Sequence, residues 1–385
     1  GKKKDDQVAM FVGGCVRNYL NNKKIDDIDI ATILSPSEIK EKFKNSDIRI
    51  IDTGIEHGSL TLIYNKCKFE ITTLRKDVKT DGRHAEILLT DSWLEDSNRR
   101  DITINSIYLD NRGKIYDPHS GVDDLKNNVV KFIGDPNVRI QEDYLRIIRF
   151  LRFAIQYDSS TDNLTVESLK LNLNKIKSLS KERVLSELLK ILKLKNFDNI
   201  LKHKNKKIIF SLIFPELKNI DSIAKLKKLK NLKISFDLML AILLIDGSNN
   251  HEYFCHKYKT SKAINESLSL LFKIYEQKKL DTNYLKKNLN KSTYIHGKSV
   301  ITKIAILEYF KKSNMSFLEL QTLIDKIEKI RIPKFPFDGK YLMNKGLNEG
   351  KSIGIMLEKL EKNWIENNYS LSDKKINEII SKVKI

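Results

Sequence analysis

Cysteine and long apolar runs are both scarce in this chain of 385 residues. The three cysteines, Cys15, Cys67 and Cys255, match the spacing of neither a zinc site nor a disulfide framework. The longest apolar run, residues 238–245, is far shorter than the roughly 20 residues that a membrane-spanning helix needs. The N-terminal residues are mostly lysine and aspartate and lack the apolar core of a secretory signal. These absences argue against a secreted or membrane-spanning protein, and we expect a cytoplasmic one.

Acidic residues are also fewer than basic residues. The chain has 70 lysines and arginines against 50 aspartates and glutamates, which leaves a formal charge of +20. Such a charge attracts polyanions in a salt-sensitive manner, so nucleic acid is the first candidate partner. Lysine, asparagine and isoleucine are abundant throughout, however, as they are in proteins encoded by AT-rich genomes. The charge alone therefore does not decide between nucleic-acid binding and compositional drift.

The pattern of apolar residues changes near residue 138. Up to that point short apolar runs alternate with turn signals and predict strands and hairpins, with the helical exception at residues 37–43. The predicted strands lie within residues 59–65, 67–74, 104–110, 114–121 and 129–136. A breaker cluster at residues 134–136 ends this part, and from residue 141 the period is that of helices. The sequence thus predicts an α+β head followed by an all-helical remainder.

The stretch FVGGCVRNYLNNKKIDDIDIAT, residues 11–32, combines a Gly-Gly turn with two alternating carboxylates. Alternate residues of a strand point to the same face, so Asp27 and Asp29 are predicted to form a site for divalent cations such as magnesium. Gly13 and Gly14 allow backbone amides to approach phosphates closely. Arg17 adds a permanent positive charge that suits phosphate oxygens.

Each half of this motif has a simpler explanation when it is taken alone. A Gly-Gly pair is usually a turn, and D-x-D on a strand is often a solvated edge. The combination is more telling, because Asp29 lies between Ile28 and Ile30 in a run that looks half-buried, and a buried carboxylate without a cation is costly. The later run FEITTLRKD supplies Glu70 in a similar apolar setting, and Glu70 is the natural third ligand.

The run NRRDITINSIYL, residues 98–109, places two arginines next to an aspartate and an asparagine. Arg99 or Arg100 can neutralise a polyphosphate, and Asp101 and Asn105 offer acceptors and donors to a ribose hydroxyl. The alternative is a capped helix with a surface ion pair, which is the commoner arrangement for such a run taken alone.

The run EDYLRIIRFLRFAIQY, residues 142–157, has helical spacing and predicts a second site. Glu142, Arg146 and Arg149 recur at i, i+4 and i+7 and predict a single helical stripe, with Asp143 three residues before Arg146. An aspartate acceptor beside an arginine donor can read the edge of a nucleotide base. Surface salt bridges with this spacing are also common, so the pattern alone leaves both interpretations open.

Together these runs resemble, in order and spacing, the five motifs of class II tRNA nucleotidyltransferases and bacterial poly(A) polymerases. The quoted motifs are GGCVRNYL with DDIDIAT, RRDITINSI, YDPHSGVDDL, EDYLRIIRFLRFA and SKERVLSELLKIL. The run FPFDGKYLMNKGLNEGKSIGIMLEKLEKNWIEN resembles the C-terminal element of bacterial CCA-adding enzymes. The resemblance implies a polymerase-beta-type nucleotidyltransferase head at residues 1–138, followed by an all-α neck at 139–200, body at 201–300 and tail at 301–385.

The resemblance also implies roles for individual residues. It assigns two magnesium ions to Asp27 and Asp29, with Glu70 as the third carboxylate of the wider superfamily. The remaining roles are triphosphate binding by Gly13, Gly14 and Arg17, ribose sensing by Asp101 and Asn105, and base recognition by Asp143 and Arg146, steadied by Glu142 and Arg149. The substrates would be CTP and ATP, and the partner would be the acceptor arm and 3′ end of tRNA. The family usually has aspartate where Asn18 stands.

Within this family, template-independent addition of CCA to tRNA is the leading hypothesis. The run DTGIEHG resembles a segment of CCA-adding enzymes, and residues 75–91 resemble a flexible loop that CC-only enzymes lack. Addition of A alone and poly(A) synthesis are the next alternatives, and no GRRF-like run of the poly(A) type is present. A non-catalytic RNA-binding protein is disfavoured by the intact carboxylates. A phosphohydrolase is disfavoured because the chain has no His-Asp dipeptide.

Overall fold

The computed structural model describes residues 7–80, 85–229, 232, 234–280, 284–312 and 315–381. The chain forms two compact units, Gly1–Lys227 with Tyr253–Thr260, and Lys228–Glu252 with Ser261–Ile385. Among the described residues, no helix is long and apolar enough to cross a membrane. The finer division into head, neck, body and tail stays a prediction.

The first unit contains a seven-stranded sheet and a separate two-stranded sheet. The strands are β1 (Ala9–Val12), β2 (Ile28–Thr32), β3 (Arg49–Gly54), β4 (Ser59–Tyr64), β5 (Cys67–Thr73), β6 (Arg75–Thr80), β7 (Ala85–Leu89), β8 (Tyr108–Leu109) and β9 (Ile115–Tyr116). The large sheet has the order β3-β4-β5-β2-β1-β8-β9, and β6 pairs with β7. Strands β2 and β5 are parallel neighbours, and their register places Asp29 directly beside Glu70.

Helices cover the sheet and make up the rest of the first unit. They are α1 (Gly14–Leu20), α2 (Pro36–Lys42), α3 (Trp93–Asn98), α4 (Gly121–Lys126), α5 (Pro136–Glu142), α6 (Leu145–Gln156), α7 (Asn163–Asn172), α8 (Lys181–Leu192) and α9 (Lys204–Ile213). Short 3-10 helices lie at Ile55–His57, Thr103–Asn105, Leu173–Ser178 and Phe197–Lys202, and a longer one, Ile220–Leu229, begins in this unit. The sheet packs on both faces, with Met10, Val12 and Tyr108 in one apolar cluster and Leu60 and Ile71 in the other.

The second unit is helical in its described residues. It contains α10 (Phe236–Leu244), part of α11 (Asn250–Tyr258), α12 (Lys262–Leu280), α13 (Tyr284–Lys311), α14 (Phe317–Lys329), α15 (Gly339–Asn344), α16 (Lys351–Glu366) and α17 (Asp373–Ser381). Helix α13 is interrupted at Gly297, where φ is +79°. Near the C-terminus, Leu342, Met356, Leu360 and Ile376 are fully or almost fully buried in one apolar cluster.

The predicted α+β head and helical remainder are confirmed, and so are the strands expected at residues 59–65 and 67–74. The helix expected after Ser35 is also present. It begins with a capping box in which the Ser35 hydroxyl accepts from the Glu38 amide and the Glu38 carboxylate accepts from the Ser35 amide. A proline at its first position suits a helix start.

Three expectations for the head were wrong in detail. The helix near residue 37 is not an exception, because α1, α3 and α4 are also helical. The strand expected at residues 129–136 is reduced to an isolated bridge between Ile102 and Phe132. The polar stretch at residues 75–91, expected to be a loop, contributes the paired strands β6 and β7, while residues 81–84 lie outside the described part of the chain.

Candidate active site

A cleft of about 450 Å³ in the first unit brings together most of the predicted site residues. It is lined by Gly13, Gly14, Arg17, Asp29, Arg99, Arg100, Asp101, Asn105, Asp143, Leu145, Arg146, Arg149, Arg152, Phe153 and Arg183. Of the predicted residues, Asp27, Glu70 and Glu142 lie outside this described lining. The cleft therefore joins motifs that are more than 160 residues apart in the sequence.

The Gly13-Gly14 turn connects β1 to α1 at one side of the cleft. Gly13 has a φ of +77°, a conformation that favours glycine. A Cβ atom at Gly13 would also lie 3.6 Å from the Asp29 Oδ2 atom and 3.8 Å from the Arg100 Nη1 atom. The missing side chain keeps the space between this carboxylate and this guanidinium open.

The predicted metal ligands Asp27, Asp29 and Glu70 lie near the start of β2. Strand β2 begins at Ile28, so Asp27 lies just before it and is exposed, whereas Asp29 is half-buried inside it. Burial raises the pKa of the Asp29 carboxyl, and repulsion by Glu70 and Asp27 raises it further, against the opposing effect of nearby arginines. A half-buried carboxylate that is repelled by neighbouring acids suits a divalent cation, which would relieve the repulsion.

The donor set fits magnesium held by few protein ligands. Magnesium in enzymes is typically bound by one or two carboxylates together with substrate phosphates. Among the described residues, no group of three or more histidine, cysteine, aspartate and glutamate side chains is arranged to hold a metal ion. The Glu70 side chain is 58% exposed and lies 3.4 Å from the Lys68 Nζ atom. Its role as a third ligand stays a prediction.

A buried carboxylate aligns the two arginines at residues 99 and 100. Asp96 on α3 is 1% exposed and accepts from the Arg99 Nη2 atom at 2.7 Å, the Arg100 Nη2 atom at 3.0 Å and the Tyr108 hydroxyl at 2.6 Å. Burial alone would raise the pKa of Asp96, but the two arginines and the hydroxyl lower it to about 2. Asp96 is therefore ionised and holds both guanidinium groups at the cleft.

Asp101 and Asn105 form a second network with two other arginines. The Asp101 Oδ1 atom accepts from the Asn105 amide at 3.0 Å, and its Oδ2 atom accepts from the Arg149 Nε and Nη2 atoms, each at 2.7 Å. The Asn105 carbonyl in turn accepts from the Arg17 guanidinium. These polar groups pair with one another, so a ribose hydroxyl would have to share them. The ribose role stays a prediction.

The helix expected across residues 142–157 is broken at Asp143. Helix α5 ends at Glu142, Asp143 is extended with φ −155° and ψ 108°, and α6 begins at Leu145. The break arises because the Asp143 Oδ1 atom accepts from the Leu145 amide at 3.0 Å and thus caps the start of α6. The expectation of one continuous helical stripe was therefore wrong, although Arg146 still contacts Glu142.

The proposed base-reading pair is held by protein contacts on every side. Arg146 donates to the Glu142 carboxylate, to the Arg139 carbonyl at 3.0 Å and to the Arg99 carbonyl at 2.9 Å. The Arg139 Nη1 atom lies 2.9 Å and 3.0 Å from the two carboxylate oxygens of Glu142. Arg149, expected to steady this pair, instead binds Asp101. Arg99, which is predicted to bind triphosphate, and Arg146, which is predicted to read the base, are thus linked through the Arg99 backbone carbonyl.

Two cleft arginines, Arg152 and Arg183, were not predicted. The Arg152 Nε atom donates to Glu187 at 2.8 Å, and its guanidinium lies 4.1 Å from the centroid of the Phe153 ring, over which Arg17 also lies at 4.8 Å. The Arg183 Nη2 atom lies 2.6 Å from the Asp143 Oδ2 atom. Asp96 and Arg139 were missed as well.

Arginine usage is the sequence signal that finds these residues. Only 13 of the 70 basic residues are arginine, yet seven arginines and no lysine occur among the described residues that line the cleft. A planar guanidinium can bind carboxylates and phosphates through two parallel hydrogen bonds, which a lysine cannot do. Lysine is the commoner basic residue in this chain, and seven of the 13 arginines line the cleft.

Asn18 and the β6–β7 pair lie outside this lining but contact neighbouring elements. The Asn18 amide donates to the Lys24 carbonyl at 3.1 Å, which a carboxylate at this position cannot do. The Lys76 Nζ atom of β6 lies 3.1 Å from the Glu95 carboxylate of α3, and the Thr90 hydroxyl donates to the same carboxylate. Glu95 thereby fastens the two-stranded sheet to the helix that carries Asp96.

Comparison with known families gives two matches along the chain. The family described as the poly A polymerase head domain matches residues 9–131. The family described as a probable RNA- and SrmB-binding site of polymerase A matches residues 162–221.

Individual proteins match over nearly the whole length. The human mitochondrial CCA tRNA nucleotidyltransferase 1 is 32% identical over 402 aligned residues, covering 99% of this chain and 87% of that protein. The structure of the Bacillus stearothermophilus CCA-adding enzyme in complex with CTP matches with a TM-score of 0.73 and 19% identity, covering 98% of this chain and 93% of that one. A tRNA nucleotidyltransferase complexed with a primer tRNA and an incoming ATP analog matches with a TM-score of 0.64 and 24% identity, covering 85% and 97%. At these identities the structural likeness concerns the fold.

Proposed function

This chain belongs to the family of CCA tRNA nucleotidyltransferases, and we propose that it adds the CCA sequence to the 3′ end of tRNA from CTP and ATP without a nucleic-acid template. The observation that carries this proposal is a single cleft lined by the Gly13-Gly14 turn, the Asp29 carboxylate and the Asp143–Arg146 pair. A phosphate-binding turn, a metal-binding acid and a base-reading pair around one space are what nucleotidyl transfer requires.

The proposed reaction joins a nucleotide to the end of the RNA. The terminal 3′ oxygen of the tRNA attacks the α-phosphorus of CTP or ATP, and a new phosphorus–oxygen bond forms. The bond from the α-phosphorus to the oxygen that bridges it to the β-phosphate breaks, and pyrophosphate leaves with that oxygen. The hydroxyl proton passes to water. The same exchange repeats for each nucleotide, so one site serves all three additions.

The residues around the cleft would position the triphosphate. The Gly13-Gly14 backbone would approach the phosphates, and Arg17, Arg99 and Arg100 would neutralise their charge. Asp27 and Asp29 would hold two magnesium ions, which, when bound, lower the pKa of the attacking hydroxyl and stabilise the negative charge of the leaving pyrophosphate. Burial and then repulsion by Glu70 and Asp27 raise the pKa of Asp29, which supports this assignment, because a nearby cation would stabilise the ionised carboxylate.

The Asp143–Arg146 pair would select the base. Cytosine and adenine both present an exocyclic amino donor beside a ring nitrogen acceptor, which matches a carboxylate acceptor beside a guanidinium donor. Uracil presents a carbonyl where cytosine has its amino group, so it would face the Asp143 carboxylate with an acceptor. An unmatched buried polar group is costly, and this cost would exclude UTP.

A primer series tests the function directly. Transcripts of tRNA that end before CCA, after the first C and after CC are each offered CTP, ATP or UTP, and the extended products are resolved on a gel. Full CCA addition predicts C, C and A in that order and then arrest. Extension of the CC transcript alone would indicate A-only addition, and unlimited A tracts would indicate a poly(A) polymerase.

The same assay with Asp29→Ala tests the metal assignment. We expect incorporation to fall by roughly 1000-fold or more, because charge stabilisation in the transition state is lost, while tRNA binding in a filter assay is unchanged. Asp26→Ala is the matched control, since Asp26 is an exposed neighbouring acid that pairs with Lys24 at 2.9 Å. Turnover by Asp29→Ala at the rate of the control would contradict the assignment.

A further inference from the structure

The Asp143 carboxylate is held by an arginine that lies 40 residues further along the chain. The Arg183 Nη2 atom on α8 is 2.6 Å from the Asp143 Oδ2 atom, and the two side chains are 31% and 24% exposed. The other carboxylate oxygen, Oδ1, accepts from the Leu145 amide at 3.0 Å. Asp143 is therefore fixed at both oxygens, by backbone on one side and by a guanidinium on the other.

These contacts leave the pair able to read a base. A carboxylate has about four acceptor sites, so two contacts leave capacity on Asp143 for an amino group of a nucleotide. Arg146 uses three of its N–H groups on protein acceptors, and an arginine has five. What the protein contacts remove is freedom of rotation, not hydrogen-bonding capacity.

We propose that Arg183 is a positioning residue that fixes the Asp143 carboxylate in the orientation that distinguishes cytosine and adenine from uracil. This inference rests on the proposed function, in which Asp143 and Arg146 read the base. A base-reading acceptor discriminates only if it cannot rotate to accommodate the wrong base, so its support determines its selectivity. Arg183 supplies that support without replacing Asp143 as the acceptor.

Helix α8 is a suitable platform for this task. Its Val184 and Leu188 side chains are buried, which fixes the helix against its neighbours. One turn after Arg183, Glu187 is 3% exposed and accepts from Arg152 of α6 at 2.8 Å. Arg183 and Glu187 are thus an i, i+4 pair whose charges both engage residues of the cleft. A rigid helix holds a partner more accurately than a loop does.

The identity of the residue supports the inference. Arg183 is followed by only one other arginine in the sequence, Arg331, so lysine supplies nearly all positive charge beyond it. A lysine at 183 would supply a charge, but its single flexible ammonium would not define the plane of the carboxylate. The presence of arginine at this position fits a requirement for geometry rather than for charge.

The test compares Arg183→Met and Arg183→Lys with the unchanged protein. For Arg183→Met we expect kcat/KM for CTP and ATP to fall together by roughly 10- to 100-fold, as the loss of one charge-assisted hydrogen bond implies. UTP incorporation should fall less, so the CTP:UTP ratio should drop. For Arg183→Lys we expect kcat/KM for CTP and ATP to stay closer to the values of the unchanged protein than the CTP:UTP ratio does. Lys181→Gln, which removes a positive charge from the same turn of α8, is the matched control and should leave the ratio unchanged.

Three further measurements separate the possible outcomes. Thermal unfolding of each variant shows whether the fold survives, and the Asp143→Asn/Arg183→Met double variant should show less than the sum of the two single effects. A loss confined to CTP would mean that Arg183 touches cytosine directly and would overturn the positioning role. If Asp143→Ala alters selectivity and Arg183→Met does not, the inference fails while base reading by Asp143 stands. If Asp143→Ala leaves selectivity unchanged, the base-reading part of the proposed function fails.

Discussion

Asp96 is a buried acid that aligns two arginines of the cleft but is not among the described residues that line it. Its carboxylate binds both Arg99 and Arg100 as well as the Tyr108 hydroxyl, and it is almost completely buried. A buried charge is tolerated only when it is paired and hydrogen-bonded, and Asp96 satisfies both conditions. Because its pKa of about 2 lies below the usual 3.8, the ionised form stabilises the fold above about pH 4, and this contribution is lost as the pH falls through 2.

The contacts of Asp96 lead to a kinetic prediction. In Asp96→Asn the two arginines lose their charged partner, so the KM for CTP and ATP should rise about tenfold and inhibition by added pyrophosphate should weaken. The affinity for tRNA should stay the same, since the two arginines that Asp96 aligns are proposed to bind the triphosphate and not the RNA. Steady-state kinetics with varied nucleotide and pyrophosphate give these values.

Two other variants control the Asp96 experiment. Tyr108→Phe removes only the hydroxyl and should show the same direction with a smaller effect, even if Asp96→Asn lowers the stability of the fold. Asp123→Asn changes an acid whose side chain is 76% exposed and should behave like the unchanged protein. Normal nucleotide KM values in a folded Asp96→Asn protein would contradict the aligning role.

Among the elements, the junction of α4 with the 3-10 helix Thr103–Asn105 sets the position of Asn105. Gly121, the first residue of α4, packs so closely that a Cβ atom there would lie 2.3 Å from the Thr103 carbonyl oxygen. The Thr103 hydroxyl donates to Asp124 of α4 at 2.7 Å, which ties the two elements together. Because Asn105 holds Arg17, this packing reaches the side of the cleft that we propose binds phosphate.

Gly121→Ala should therefore damage both stability and activity. The added methyl meets backbone, which cannot rotate away, so we expect a loss of about 1–3 kcal/mol in the free energy of unfolding. We also expect lower activity in the protein that stays folded, through displacement of Asn105. Gly354→Ala is the control, because a Cβ atom there meets nothing within 4 Å inside α16, and alanine favours a helix interior. Equal melting temperatures for the two variants would refute the packing argument.

Across the whole molecule, arginine and lysine differ in where they lie and in what they contact. Twelve of the 13 arginines precede residue 184, where the described cleft lies, and the later positive charge is almost entirely lysine. Some of these lysines serve the fold: Lys202 pairs with Asp158, Lys207 pairs with Asp221, and the buried Lys206 donates to the Ala154 carbonyl at 3.0 Å. The remaining lysines give the chain a large positive charge suited to an RNA backbone, without the geometry that reads a base.

This division predicts different salt responses for the two substrates. Raising the salt from about 50 mM to about 200 mM should weaken tRNA binding by orders of magnitude, because each neutralised phosphate releases counterions. The KM for CTP and ATP should change much less, since on the proposed assignment a nucleotide binds paired arginines in a cleft rather than exposed surface lysines. Binding and kinetic measurements across this range give both slopes. Parallel changes in the two quantities would contradict the division.

The sequence by itself determined the features that depend on neighbouring residues. The Gly-Gly turn, the alternation around Asp29, the capping of α2 by Ser35 and the change from strand to helix near residue 138 all follow from local spacing and backbone preference. These interactions span a few residues, so the sequence pattern contains them. The family motifs lie in these same local runs, and for this reason the fold class and family were predictable.

Only the tertiary structure decided which side chains support the site. Arg17 meets Asn105 across 88 positions, Asp101 meets Arg149 across 48, and Arg183 meets Asp143 across 40. The break at Asp143 also escaped prediction, because the helical period continues through it while a side-chain cap interrupts the backbone. The physical reason is that these contacts depend on how helices and strands pack, and packing geometry is a property of the folded chain rather than of any one segment.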